Sequence, residues 1–150
     1  SVSTENFEVL YVTGKAHYQS FLQNETFPHN VKIVPYVEHL AGFMKNADVV
    51  VSRAGAASLY ELITLQIPSI IIPSPNVANN HQYYNAIEMR DAGAISLMLE
   101  SEFATEKLLQ EIKSLLEDKN RRFLMIENMR KLGVMDSSQI IYQEIKDLIR

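Results

Sequence analysis

The run "SRAGAASLYEL", Ser52 to Leu62, sets Ala54, Gly55, Ala56 and Ala57 directly behind the apolar "ADVVV" and puts a carboxylate, Glu61, one helical turn further on. A helix that starts among such bare residues leaves its first backbone N–H groups unshielded. Unpaired donors at the positive end of a helix dipole form an anion site, worth about 0.3–2 kcal/mol for a nearby charge. Ser58 adds a hydroxyl. Small residues also let a helix pack closely on a strand, and the spacing leaves both readings open. The run is neither a GxGxxG nor a P-loop, because no Gly-Lys-Ser/Thr follows.

Glu61 lies four residues after Ala57, on the same helical face and about 6 Å further along the axis. A carboxylate there meets whatever a bound phosphate carries. Ribose hydroxyls suit it, since each hydrogen bond to an ionised acceptor is worth about 1.5–3 kcal/mol. A solvent-facing glutamate is the competing reading. A second cluster, "NVANNHQYYNA" from Asn76 to Ala86, gathers amides and a histidine after the apolar "PSIIIPS". Asn79 or Asn80 is expected to cap the helix that follows. His81 and Gln82 in its first turn are expected to face the same edge as Ala56, and amides suit sugar hydroxyls because they both donate and accept.

Other chemistries lack their residues. No second His or carboxylate stands at metal-ligand spacing to His81, so no metal site is expected. No G-x-S-x-G elbow occurs, and Glu61 has no acidic partner for direct glycoside hydrolysis. Arg53 either touches a phosphate or pairs structurally. His17, His29 and His39 read as surface or packing residues.

These residues need a scaffold, and the pattern supplies one. Strands are expected at Phe7–Thr13, Val31–Val37, Asp48–Ser52, Pro68–Ser74 and Ala94–Leu99. Helices are expected at about His17–Gln23, Glu38–Ala47, Ala56–Gln66 and Asn79–Gly93, the last closed by Gly93. Short apolar strands alternating with helices imply βαβ units: an α/β fold, a Rossmann-like parallel sheet with helices on both faces. The last third is expected to be helical, at Thr105–Asp118 with Thr105 as cap, Asn120–Leu132 ending at Gly133, and Asp136–Ile149 with Asp136 as cap. Ligands of open α/β sheets sit beyond the carboxyl ends of the strands. Gly14, Tyr36 and Val37, Ser52–Ser58 and Ser74–Gln82 all fall there, so four loops are expected on one edge.

Length and composition bound the function. A chain of 150 residues is about one domain and has enough length for a real core. It is 47% hydrophobic and 21% charged with a formal net charge of -4, and it has no basic cluster, so no nucleic-acid partner is expected. It contains no cysteine, which removes disulfides, thiol chemistry and Cys-based zinc. Apolar runs are far shorter than the roughly 20 residues of a spanning helix. The opening "SVSTENFEVLYV" shows no secretory signal and reads as a chain entered partway through a larger architecture.

The combination "ADVVVSRAGAASLYEL", "IPSIIIPSPNVANNHQYYNA" and "EMRDAGA" resembles one family over nearly the whole chain, from Val9 to the last helix. It is similar to the C-terminal domain of the bacterial UDP-N-acetylglucosamine transferases of glycosyltransferase family 28, GT-B enzymes that form lipid II in peptidoglycan synthesis. The resemblance implies that residues 1–150 are the donor-binding domain, one half of a two-domain enzyme with its active site in the cleft. It implies that the backbone at Val37 reads uracil and that Glu61 takes the ribose hydroxyls. The diphosphate and GlcNAc fall at the helix start, Ala56 to Ser58, within the segment Gly55, Ala56, Ala57, Ser58, Leu59 and Tyr60. Gln82, with His81 beside it, binds the sugar, Asn85 matches a further family position, and Gly14 and Arg53 are secondary candidates.

Two family features do not occur in this sequence: a glycine-rich phosphate loop before the first strand, and the N-terminal domain that holds the lipid I acceptor and the presumed base. The chain is therefore expected to hold no catalytic residue, to need no cofactor, and to bind UDP-GlcNAc weakly without transferring it alone. The longer protein is expected at the cytoplasmic face of the bacterial plasma membrane, as a peripheral protein, with the isolated domain soluble. The rival expectations are a GT-B enzyme using another nucleotide sugar, a noncatalytic donor-site subunit of a split transferase, and a Rossmann-like domain that binds no sugar nucleotide.

Overall fold

The computed structural model describes residues 6–24, 27–75 and 81–148, with the backbone alone for Asn24 and for 134–148. The chain forms two compact units, residues 1–40 and 41–150. The Asn79 and Asn80 caps lie outside the described residues.

In the first unit β1 (Val9–Val12) runs parallel to β2 (Val31–Val34), with Val9 opposite Val31 and Val12 opposite Val34. Helix α1 (Tyr18–Asn24) is held to β1 by rings. Phe21 lies 5.1 Å from Tyr11 and stacks on Phe27 at 5.5 Å. β2 stops three residues short of the expected Val37, directly before Pro35, which has no N–H to extend a ladder. The next helix, α2 (Leu40–Met44), starts after His39 rather than at Glu38. His39 sits at φ 57, a left-handed conformation that a right-handed helix cannot contain.

In the second unit β3 (Val50–Ser52), β4 (Ser69–Ile71) and β5 (Ser96–Leu97) form a parallel sheet in the order β3-β4-β5. Helix α3 (Ala56–Leu65) follows β3, α4 (His81–Asp91) follows β4, and α5 (Thr105–Glu117) and α6 (Lys119–Leu148) complete the unit. Adjacent residues of a strand face opposite sides, and β4 shows it. Ile71 packs with Leu59, Leu62, Ala86 and Met89 of α3 and α4, whereas Ile70 packs with Leu115 and Met125 of α5 and α6. Both isoleucines are fully buried, each contributing about 1.5–3 kcal/mol. The expected parallel sheet with helices on both faces is thus realised around β4. The apolar run of β1 does not predict burial in the same way: Leu10, Tyr11 and Val12 remain 38–44% exposed.

Gly93 closes α4 as expected. At φ 70 it lets the Ala94 N–H reach Met89 O at 2.9 Å, and a Cβ there would stand 2.8 Å from Asn128 Nδ2. Gly133 does not end a helix. α6 runs unbroken for 30 residues through it and through Asp136, because an interior glycine costs only about 1 kcal/mol relative to alanine and a packed helix absorbs that. Two caps also differ from expectation. Thr105 is already helical, with Ala104 as the N-cap and no side-chain cap bond. Asp118 Oδ1 accepts from the Arg121 N–H at 2.9 Å and so caps α6 one residue earlier than Asn120 implies.

Candidate functional site

Parallel order places the carboxyl ends of β3, β4 and β5 on one edge, where α3 and α4 begin. Ile72 N–H donates to Ser52 O at 2.9 Å, so the loops after β3 and β4 leave the sheet side by side. Ala54 is fully buried beneath the turn. Gly55 is the N-cap of α3, at φ -64 and ψ 138, and no side chain caps it. That conformation suits any residue, and an added Cβ would meet only Ser58 Oγ, at 3.7 Å. Glycine there leaves the helix start open rather than relieving strain. The N–H groups of Ala56, Ala57 and Ser58 have no hydrogen-bond partner among the described residues, and Ala56 and Ala57 are exposed.

The inner face of α3 fixes this helix start in place. Leu59 and Leu62 are buried against β4 and α4, while Tyr60 is 64% exposed. Glu61 is half-buried and makes no hydrogen bond or ion pair among the described residues. Its oxygens are available one turn beyond the vacant N–H groups.

On α4, Gln82 Oε1 accepts from the Ser74 N–H at 3.0 Å. A backbone N–H can only donate, so this bond fixes which end of the amide is which and leaves the Nε2 hydrogens free to donate. His81 is exposed at the first helical position, and half-buried Asn85 follows four residues later on the same face. The neighbouring rings of Tyr83 and Tyr84 meet edge to face at 5.6 Å.

Arg53 lies at the carboxyl end of β3 and reaches across β4. Its Nη1 donates to Ile72 O at 3.3 Å and to Glu100 Oε2 at 2.6 Å. Glu100 opens the short 3-10 turn Glu100–Glu102 after β5. Reading the sequence alone missed Glu100, and it placed Ser74 on this edge without its bond to Gln82. The signal for Glu100 was positional, since it follows β5, whose carboxyl end shares this edge.

Gly14 and Val37 belong to the other sheet. Gly14 takes φ 79 after β1, and Thr13 N–H donates to Val34 O at 3.1 Å, tying the ends of β1 and β2 together. Beyond β2, Tyr36 is 59% exposed with Lys15 Nζ 5.1 Å above its ring, whereas the Val37 side chain is buried. Among the described residues no hydrogen bond uses the Val37 N–H or C=O. Gly14, Tyr36 and Val37 thus follow strands of one sheet, and Ser52–Ser58 and Ser74 follow strands of the other.

Away from these residues, open concavities of about 740 and 440 Å³ line α5, the start of α6 and β5, and neither includes a candidate residue. The second holds Glu111, which accepts hydrogen bonds from Ser96 and Arg121. Burial opposes its ionisation, but those bonds and the Arg121 charge outweigh it and hold the carboxyl below its usual range. Among the described residues no His, Asp and Glu group could hold a metal ion, and no helix is long and apolar enough to cross a membrane.

The UDP-N-acetylglucosamine–N-acetylmuramyl-(pentapeptide) pyrophosphoryl-undecaprenol N-acetylglucosamine transferase of Acetivibrio thermocellus is 38% identical over 146 residues, covering 96% of this chain and 40% of that protein. The protein of the same name from Bacillus cytotoxicus is 38% identical over 149 residues, covering 97% of this chain and 41% of its own length. The chain thus spans about two fifths of the length of these relatives. Among solved structures, MurG of Acinetobacter baumannii matches with a TM-score of 0.69 at 23% identity, over 85% of this chain and 37% of that one. The glycosyltransferase VinC in complex with dTDP matches with a TM-score of 0.72 at 17% identity, over 87% and 31%. At these identities the structural likeness establishes the fold. The model of the glycosyltransferase family 28 C-terminal domain matches residues 2–141, and the chain belongs to that family.

Proposed function

We propose that this chain is the donor-binding part of a transferase that moves GlcNAc from UDP-GlcNAc to lipid I, forming lipid II for peptidoglycan. The observation that carries the reading is the start of α3: three N–H groups, and Glu61 one turn on, that bond no described residue, in a chain whose relatives bear the name of that transferase. The N–H groups of Ala56, Ala57 and Ser58 take the diphosphate, and Glu61 takes the ribose hydroxyls. Gln82 Nε2, His81 and Asn85 face the sugar. The dTDP held by a protein of the same fold supports a nucleoside diphosphate as ligand.

In the reaction, the acceptor hydroxyl of lipid I attacks the anomeric carbon of GlcNAc from the side opposite UDP. The bond from that carbon to the diphosphate oxygen breaks, and UDP leaves with the electron pair. Charge grows on that oxygen, where preorganised N–H donors stabilise it. The base that removes the acceptor's proton, the acceptor site and the peripheral contact with the cytoplasmic face of the membrane are assigned to the part of the relatives' length that this chain does not span. A calorimetric panel of UDP-GlcNAc, UDP-glucose, UDP-GalNAc and dTDP tests the reading. UDP-GlcNAc is expected to bind tightest, and preference for dTDP or binding of none overturns it.

A further inference from the structure

Both hydrogen bonds of Arg53 leave from Nη1, to Ile72 O and to Glu100 Oε2. A guanidinium has five N–H donors, so its Nε and Nη2 hydrogens bond no described residue. That open side is a planar fork, the arrangement that takes a phosphate by two parallel bonds. The side chain is 55% exposed, and Arg53 stands two residues before the N-cap of α3. Glu100 and the carbonyl at the end of β4 hold one corner of the group over the edge where α3 and α4 begin.

We propose that Arg53 is a further binding residue for the diphosphate of the nucleotide sugar and that Glu100 is its positioning residue, anchoring Nη1 so that the Nε–Nη2 fork stays presented. The inference rests on the donor reading above and adds a side-chain cation to its backbone donors. Glu100 makes no contact with the ligand and acts through Arg53.

Calorimetry with UDP and with uridine, on the 150-residue chain and its variants, tests this. Arg53→Met is expected to weaken UDP binding about tenfold to a hundredfold, the loss of one charge-assisted contact, and to leave uridine unchanged. Arg53→Lys, which keeps the charge without the fork, falls between. Glu100→Ala is expected to weaken UDP binding about two- to fivefold, the range of an exposed ion pair. Glu100→Gln, which keeps an acceptor, recovers part of that loss, and neither Glu100 change has an effect in the Arg53→Met background. The proposal is overturned if Arg53→Met binds UDP as tightly as the parent, if Glu100→Ala tightens binding, or if Glu100→Ala weakens it equally without Arg53. A parent chain that binds no UDP refutes the donor reading itself. A parent that binds, and is weakened by Glu61→Ala but not by Arg53→Met, refutes only this inference.

Discussion

Replacing Glu61 by alanine removes a half-buried carboxylate that makes no hydrogen bond or ion pair with a described residue. Surface changes of that kind stay within about 0.5 kcal/mol of the parent in stability. Any larger effect on ligand binding then belongs to the ligand. If Glu61 accepts from the ribose, the loss is one hydrogen bond to a charged acceptor or slightly more, about 1.5–3 kcal/mol, or roughly tenfold to a hundredfold in Kd. Isothermal titration with UDP-GlcNAc reads this directly, and titration with the 2′-deoxy and 3′-deoxy nucleotides places it. Alanine at 61 should lose affinity for the parent nucleotide and lose less for the analogue that already lacks the hydroxyl. Unchanged affinity, or the same loss for every analogue, refutes the ribose role.

Three other outcomes follow from the geometry. Gln82→Leu, which keeps the bulk and removes both the acceptor used by Ser74 N–H and the Nε2 donors, should weaken UDP-GlcNAc more than UDP in calorimetry, whereas an equal effect on both removes Gln82 from the sugar. Gly93→Ala forces a side chain into φ 70 and against Asn128, and should destabilise the chain by about 1–2 kcal/mol from the left-handed conformation alone, seen as a lower urea midpoint. An unchanged midpoint refutes that account. Glu111 is held below its ordinary value of 4.5, so its contribution to stability is complete above about pH 4.5 and is lost as pH falls through the lower folded-state value. Urea midpoints between pH 6 and pH 3 should therefore fall more steeply for the parent than for Glu111→Gln, and parallel curves contradict the assignment.

Local chemistry made much of this molecule legible. Apolar runs flanked by Pro, Gly and Asn marked every strand among the described residues, and Gly93 announced its helix end because only glycine suits φ 70 beside Asn128. Gly133 is the same residue type with no such demand, and nothing local told the two apart. Strand ends came out shorter because ladder bonds stop at Pro35 and the loop residues, which apolar character does not reveal. The start of α3 and the place of Glu61 were readable from spacing alone. The bond from Ser74 to Gln82 and the pairing of Arg53 with Glu100 join segments up to 47 residues apart, and only the order of the strands brings them together.

The central claim is that main-chain N–H groups at the start of α3 receive the diphosphate of the donor nucleotide. Titrating UDP-GlcNAc into isotope-labelled chain and following backbone amide resonances by NMR measures those groups themselves. Saturable shifts at Ala56, Ala57 and Ser58, absent with free GlcNAc, are the predicted result. Shifts confined to α5 and α6, or none at these three amides under saturating nucleotide, contradict the account.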